Sequence, residues 1–118
     1  MAALTAKATP PCDILLAGAG FFSERVAFDL AITAEAPVHV AICGRPEAEG
    51  ERLQWLCETA NARAVLLGRP ATFSPVPIVW ETPESIAETI ALWAPLVIVH
   101  SATLQSPWGI VDTTRQTF

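Results

Sequence analysis

Short continuous apolar runs alternate along this chain with longer stretches of helical period. Runs of this kind are typical of strands in a parallel sheet that is covered on both faces. Four such runs predict β-strands, at 13–17, 38–43, 77–81 and 96–99. Proline-rich residues 70–77 precede the third of these runs and predict a loop.

Between the runs, apolar residues recur three and four positions apart, which predicts helices. The first predicted helix covers 21–36 and is ended by Pro37. The second starts near Glu47 and continues through Leu67, with the alternative that 64–67 is itself a strand.

Two further helix starts are marked by proline. Thr82 suits an N-cap and Pro83 suits the first helical position. The residues 106–108, Ser-Pro-Trp, resemble this start and predict a fourth helix near the end of the sequence.

The alternation of strands and helices predicts the fold class. Parallel strands joined by right-handed helical crossovers give a three-layer α/β Rossmann-like fold, with strand order 3-2-1-4 and helices on both faces of the sheet. We expect residues 1–12 to be a flexible lead-in and 13–118 to be the domain, as the N-terminal part of a larger enzyme.

The turn after the first strand carries the main candidate chemistry. Gly18 and Gly20 match the first two glycines of the dinucleotide fingerprint, and Ser23 occupies the third position. Phe21 and Phe22 then open a predicted helix, whose N-terminus offers N–H groups to a phosphate. The predicted cofactor-binding residues here are Gly18, Gly20, Phe21, Phe22 and Ser23. The alternative is that the two glycines only form a tight turn.

Two other strand ends add to this site. The second strand ends in Gly44 and Arg45, and no carboxylate follows before Glu47. An arginine there suits a 2′-phosphate, so NADP is favoured over NAD as the cofactor. Ser101 and Ala102 follow the fourth strand and would let the cofactor pass close to the backbone.

Composition and charge narrow the function. A net charge of −5 argues against nucleic-acid binding, and no apolar run reaches the roughly 18 residues that cross a membrane. Three cysteines without metal-like spacing indicate a reduced, cytoplasmic setting. The chain has no tyrosine, which excludes a Tyr–Lys catalytic pair within it. The sequence indicates neither catalytic nor metal-ligating residues.

Residues 14–20, the turn at Arg45 and residues 97–102 together resemble the N-terminal half of NAD(P)-binding Rossmann oxidoreductases. The greatest similarity is to saccharopine-dehydrogenase-like reductases, over residues 13–108. In that family a strand ending in small residues precedes a helix beneath the nicotinamide. The resemblance implies NAD(P) use and hydride transfer, and it names no substrate.

The expected function is therefore an NADP-binding domain of an oxidoreductase, with the substrate site outside this chain. The alternatives are a stand-alone nucleotide-binding regulatory module without catalysis and a degenerate fragment with only an interaction role. The fourth strand becomes a sheet edge in the predicted order, and residues 96–99 are apolar and uncharged. We therefore expect self-association, or a partner chain or domain, to cover the edge at 96–99.

Overall fold

A computed structural model of the chain describes residues 10–78 and 82–100. Strands and helices alternate through these residues. The strands are β1 (Ile14–Ala17), β2 (Val38–Gly44), β3 (Ala71–Pro77) and β4 (Val97–His100). The helices are α1 (Phe21–Thr33), α2 (Pro46–Leu66) and α3 (Pro83–Trp93).

The four strands form one parallel sheet in the order β3-β2-β1-β4, which confirms the predicted order and the Rossmann-like fold class. On β1, Leu15 is in register with Ala41 of β2 on one side and with Ile98 of β4 on the other. From β1 the chain adds β2 and then β3 on one side, and it then crosses back to add β4 on the other side of β1. The carboxyl ends of these strands therefore meet at the switch point where such sheets bind ligands.

Helices cover both faces of the sheet because successive strand residues point to opposite sides. Leu16 and Ile42 face α1 and α2, where Ala27 and Ala31 of α1 and its C-cap Ala34 supply small buried side chains. Leu15 and Cys43 face the other layer, in which Ile86 and Ile90 of α3 are buried.

The helix interpretation of residues 64–67 is also confirmed. Ala64 is buried on the packed face of α2, and the helix continues to Leu66. Gly68 then adopts the left-handed conformation (φ 66°), and Arg69 N–H donates to Ala64 O at 2.8 Å. A left-handed glycine is a common helix end.

The predicted bounds of the third strand, 77–81, are wrong: β3 is Ala71–Pro77 and lies within the predicted proline-rich loop. Residues 79–81 lie outside the described residues, as do 101–118 with the predicted helix start at 106–108. Ile78 is buried but follows the end of the strand.

The position of β3 at the sheet edge explains how a strand accommodates these prolines. Phe73 directs its N–H and C=O away from β2, to the amide side chain of Asn61, at 2.8 Å each. Backbone polar groups alternate in direction along a strand, so Pro75 and Pro77 share the outward orientation of Phe73. Their missing N–H groups therefore cost no hydrogen bond to β2.

Candidate nucleotide-binding site

The glycine-rich loop leaves the centre of the sheet directly after β1. Gly18 has φ 135°, a conformation that side chains other than glycine rarely adopt. Its N–H donates to Cys43 O at 3.0 Å, which fastens the loop to the end of β2. The strand–turn–helix context that the fingerprint requires is therefore present.

Gly20 is the N-cap of α1 and leaves open space beside the loop. A Cβ added at Gly20 would meet no atom within 4 Å, and the residue is exposed. The first helical hydrogen bond runs from Glu24 N–H to Gly20 O, at 3.0 Å. The N–H groups of Phe21 and Phe22 precede that bond, at the positive end of the helix dipole.

The next three predicted site residues differ in exposure. Phe21 is 84% exposed and Phe22 is also exposed, so both rings border the open loop. Ser23 is fully buried between helix and sheet. A small buried residue is what close helix–strand packing requires at this position.

The turn after β2 packs directly against the glycine-rich loop. A Cβ added at Gly44 would stand 3.2 Å from Ala19 Cβ, so the backbone at Gly44 packs against the Ala19 side chain. Arg45 follows as the N-cap of α2, and its N–H donates to Glu49 Oε1 at 2.9 Å. The fold therefore brings Gly44 and Arg45 to the same edge of the sheet as the glycines.

The carboxylate of Glu49 is a site residue that the sequence reading missed. The first carboxylate after β2 in sequence belongs to Glu47, yet Glu49 reaches back one helical turn to the backbone of Arg45. In a capping box the carboxylate lies three residues after the N-cap, whereas Glu49 lies four after it, so no standard motif marks it in the sequence.

Arg52 is the second missed residue, and it links α2 to the glycine-rich loop. Its Nε donates to Ala19 O at 2.6 Å, and its Nη2 lies 2.7 Å from Glu24 Oε1. Its guanidinium also lies 5.1 Å from the Phe21 ring centroid and 5.8 Å from that of Trp55. In the sequence, Arg52 is marked only by its position four residues before Leu56. This position places it beside the buried face of α2, which begins at this edge of the sheet.

The fourth strand ends level with the first. His100 is in register with Ala17, the last residue of β1, and is half-buried. The predicted cofactor contacts at Ser101 and Ala102 lie outside the described residues. The described part of the chain therefore brings together the predicted residues of the first and second turns.

His39 lies near the start of β2 and is held by contacts on both ring nitrogens. Nδ1 lies 3.0 Å from Pro11 O and Nε2 lies 3.1 Å from Ser74 Oγ. A carbonyl only accepts, so Nδ1 donates to Pro11. The ring thus ties β2 to β3 and to the segment before β1, which is a structural role.

The three cysteines are free and buried. Burial raises the pKa of Cys43 above its ordinary range, raises that of Cys57 to about 12 and raises that of Cys12 to about 11. Thiols with raised pKa values are poor nucleophiles. Cys43 is therefore a buried thiol with little reactivity.

Fold and site together define an α/β protein with a Rossmann-like sheet and a glycine-rich first turn at the switch point. Comparison with known protein families and with curated proteins gave no match to this chain. In residues 10–78 and 82–100, no three His, Cys, Asp or Glu side chains are grouped to hold a metal ion. No helix of this described part is both long enough and apolar enough to cross a bilayer.

Proposed function

We propose that this chain binds NADP at the carboxyl edge of its sheet, as the cofactor domain of an oxidoreductase whose substrate residues lie outside the chain. The observation that carries the proposal is the open N-cap at Gly20. It lies between a central parallel strand and a helix whose first N–H groups precede any helical hydrogen bond. A pyrophosphate approaches the backbone at such a glycine in dinucleotide-binding folds.

Different residues of this edge would bind the pyrophosphate and the 2′-phosphate of NADP. The loop from Gly18 to Phe22 would hold the pyrophosphate through backbone N–H groups and the helix dipole. Arg45, at the end of β2, lies where the adenosine ribose is bound in this fold and supplies a cation for a 2′-phosphate. When bound, the nicotinamide supplies the hydride chemistry, and this chain orients it.

Glu49 sharpens the preference for NADP. Its carboxylate lies at the same turn, but Oε1 accepts the Arg45 backbone N–H. This hydrogen bond holds the helix start in place, and the charge that we assign to the 2′-phosphate is the Arg45 guanidinium. Discrimination between NADP and NAD therefore depends on Arg45.

The test is a fluorescence titration of the chain with NADPH and with NADH. Arg45→Glu should weaken NADPH binding more than NADH binding, because only NADPH carries the 2′-phosphate. Arg69→Glu is the matched control, since Arg69 follows α2 at the opposite end of the sheet. Equal loss for both ligands in Arg45→Glu removes the role given to Arg45. Absence of binding by the wild-type chain removes the cofactor itself.

The edge of β4 supports a further part of the proposal, a protein contact. In the described sheet β4 pairs with β1 alone, and Leu96 before it is 80% exposed. An apolar strand edge of this kind favours pairing with another chain or domain. Val97→Lys should lower self-association in sedimentation, whereas an unchanged association constant excludes this edge as the contact.

A further inference from the structure

Arg52 of α2 contacts both the glycine-rich loop and the first turn of α1. Its Nε–H donates to the carbonyl of Ala19, between the two glycines, and its Nη2 pairs with Glu24 in the first turn of α1. The side chains of Arg52 and Glu24 are 33% and 28% exposed. The pair is therefore partly shielded from solvent, and screening weakens it less than a surface pair.

We propose that Arg52 is a positioning residue that fixes the orientation of the Ala19–Gly20 peptide and so prepares the loop for a phosphate. This inference rests on the proposed NADP site. The peptide group is planar, and in its trans form the N–H points opposite to the C=O. With the Ala19 carbonyl held towards Arg52, the Gly20 N–H is directed away from α2 in one fixed orientation.

A fixed peptide matters because a glycine-flanked peptide rotates easily. Ala19 lies between Gly18 and Gly20, the two residues with the greatest backbone freedom. A loop already held in its binding conformation loses less entropy when the ligand binds. Arg52 is the side chain described here that reaches the carbonyl between these glycines.

Arg52 also offsets a charge that opposes the ligand. Glu24 lies in the first turn of α1, where its carboxylate favours the helix dipole but repels a phosphate. Its partner Nη2 at 2.7 Å neutralises that carboxylate. The planar guanidinium can bond Ala19 and Glu24 together while its face meets the Phe21 ring, which a lysine ammonium cannot do.

The test compares Arg52→Gln and Arg52→Lys with Arg25→Gln. Arg25 pairs with Asp29 on the exposed side of α1 and is the matched control. Amide ¹⁵N relaxation at Gly20 and NADPH affinity are measured for each. Arg52→Gln should lower the order parameter of the Gly20 amide and weaken NADPH at least about tenfold. Arg52→Lys should restore part of the affinity, and Arg25→Gln should change neither quantity.

The outcomes separate this inference from the proposed function. An unchanged Gly20 order parameter in folded Arg52→Gln overturns the positioning role. A lower order parameter in a chain whose wild type binds no NADPH supports the positioning of the loop and overturns the cofactor. If Arg52→Gln does not fold, Arg52→Lys carries the test, and its full wild-type affinity together with a wild-type Gly20 order parameter overturns the role.

Discussion

Gly44 lies so close to Ala19 that a Cβ added at Gly44 would stand 3.2 Å from the Ala19 Cβ. The glycine after β2 therefore lets the first two turns of the sheet touch. Leu53 Cδ2, at 3.4 Å from the same point, closes the space from α2. The end of β2 and the glycine-rich loop thus form one packed unit.

Gly44→Ala should therefore lower stability by about 1 kcal/mol, because a close-packed neighbour must shift. Gly50→Ala is the matched control inside α2, where an added Cβ meets no atom within 4 Å. Alanine is the better helix former, so Gly50→Ala should raise stability by roughly 0.5–1 kcal/mol. Urea unfolding measures both. Equal effects of the two substitutions would contradict the packing of Gly44 on Ala19.

Substitution by alanine should affect mainly ligand binding at Gly20 and mainly stability at Gly18. Gly20 has φ −88° and open space, so Gly20→Ala should cost at most about 1 kcal/mol of stability at an N-cap. It should nevertheless weaken NADPH by about tenfold or more, or about 1.4 kcal/mol, because the Cβ occupies the path of the pyrophosphate. Calorimetric titration and thermal unfolding of the same sample give both quantities.

Gly18→Ala is the counterpart that separates fold from binding. At φ 135° the added side chain is strained, so a stability loss of about 1–3 kcal/mol is expected. A Gly20→Ala chain that unfolds as easily as Gly18→Ala would show that Gly20 serves the fold. Wild-type NADPH affinity in Gly20→Ala would place the ligand elsewhere.

Asn61 covers the outer edge of β3 with its side-chain amide. It donates to Phe73 O and accepts from Phe73 N–H, both at 2.8 Å, beside a buried ring. Asn61→Ala removes both partners and should cost about 1–3 kcal/mol of stability. Gln54→Ala, which removes an exposed amide from the same helix, should change stability by less than about 0.5 kcal/mol. Similar losses in the two variants would contradict the edge-capping role.

The sequence predicted most of the fold because apolar runs and helical periods reflect burial on each face. It failed at β3 because proline normally argues against a strand. Pro75 and Pro77 are tolerated only because β3 is an edge, with Phe73 and its partner Asn61 marking the outward side. Which strand forms the edge depends on the topology of the whole sheet, so the local sequence of β3 does not reveal that it is an edge strand.

The candidate site was predictable only in part, for a similar reason. Gly18 and Gly20 mark their turn locally, because chain conformation and ligand approach require glycine there. Glu49 bonds within the start of its own helix, at a spacing that no standard capping motif has. Arg52 belongs to a helix that follows another strand, and its side chain meets the first turn only after α2 packs beside α1. Contacts between distant segments leave no spacing pattern in one sequence.

The buried thiols should make stability fall at alkaline pH. The folded chain keeps Cys12 and Cys57 protonated up to pKa values of about 11 and about 12, against an ordinary value of 9.0. Their contribution is therefore complete below pH 9.0 and is lost as the pH rises from there towards those raised values. Each thiol should add a slope of up to about 1.4 kcal/mol per pH unit.

Urea unfolding across this alkaline window measures the slope. Cys57→Ala should be less stable at neutral pH because a buried side chain is removed, yet it should lose less stability per pH unit than the wild type. Parallel pH profiles for the two proteins would contradict the account of the buried thiols.

Binding of NADP at the glycine-rich loop is tested by titrating the labelled wild-type chain with NADPH while backbone amide signals are followed by NMR. We expect saturable shifts at Gly18, Gly20 and Phe21, together with Gly44 and Arg45 at the neighbouring turn. Unchanged amide positions at millimolar NADPH, or shifts confined to the opposite end of the sheet around Gly68, would contradict it.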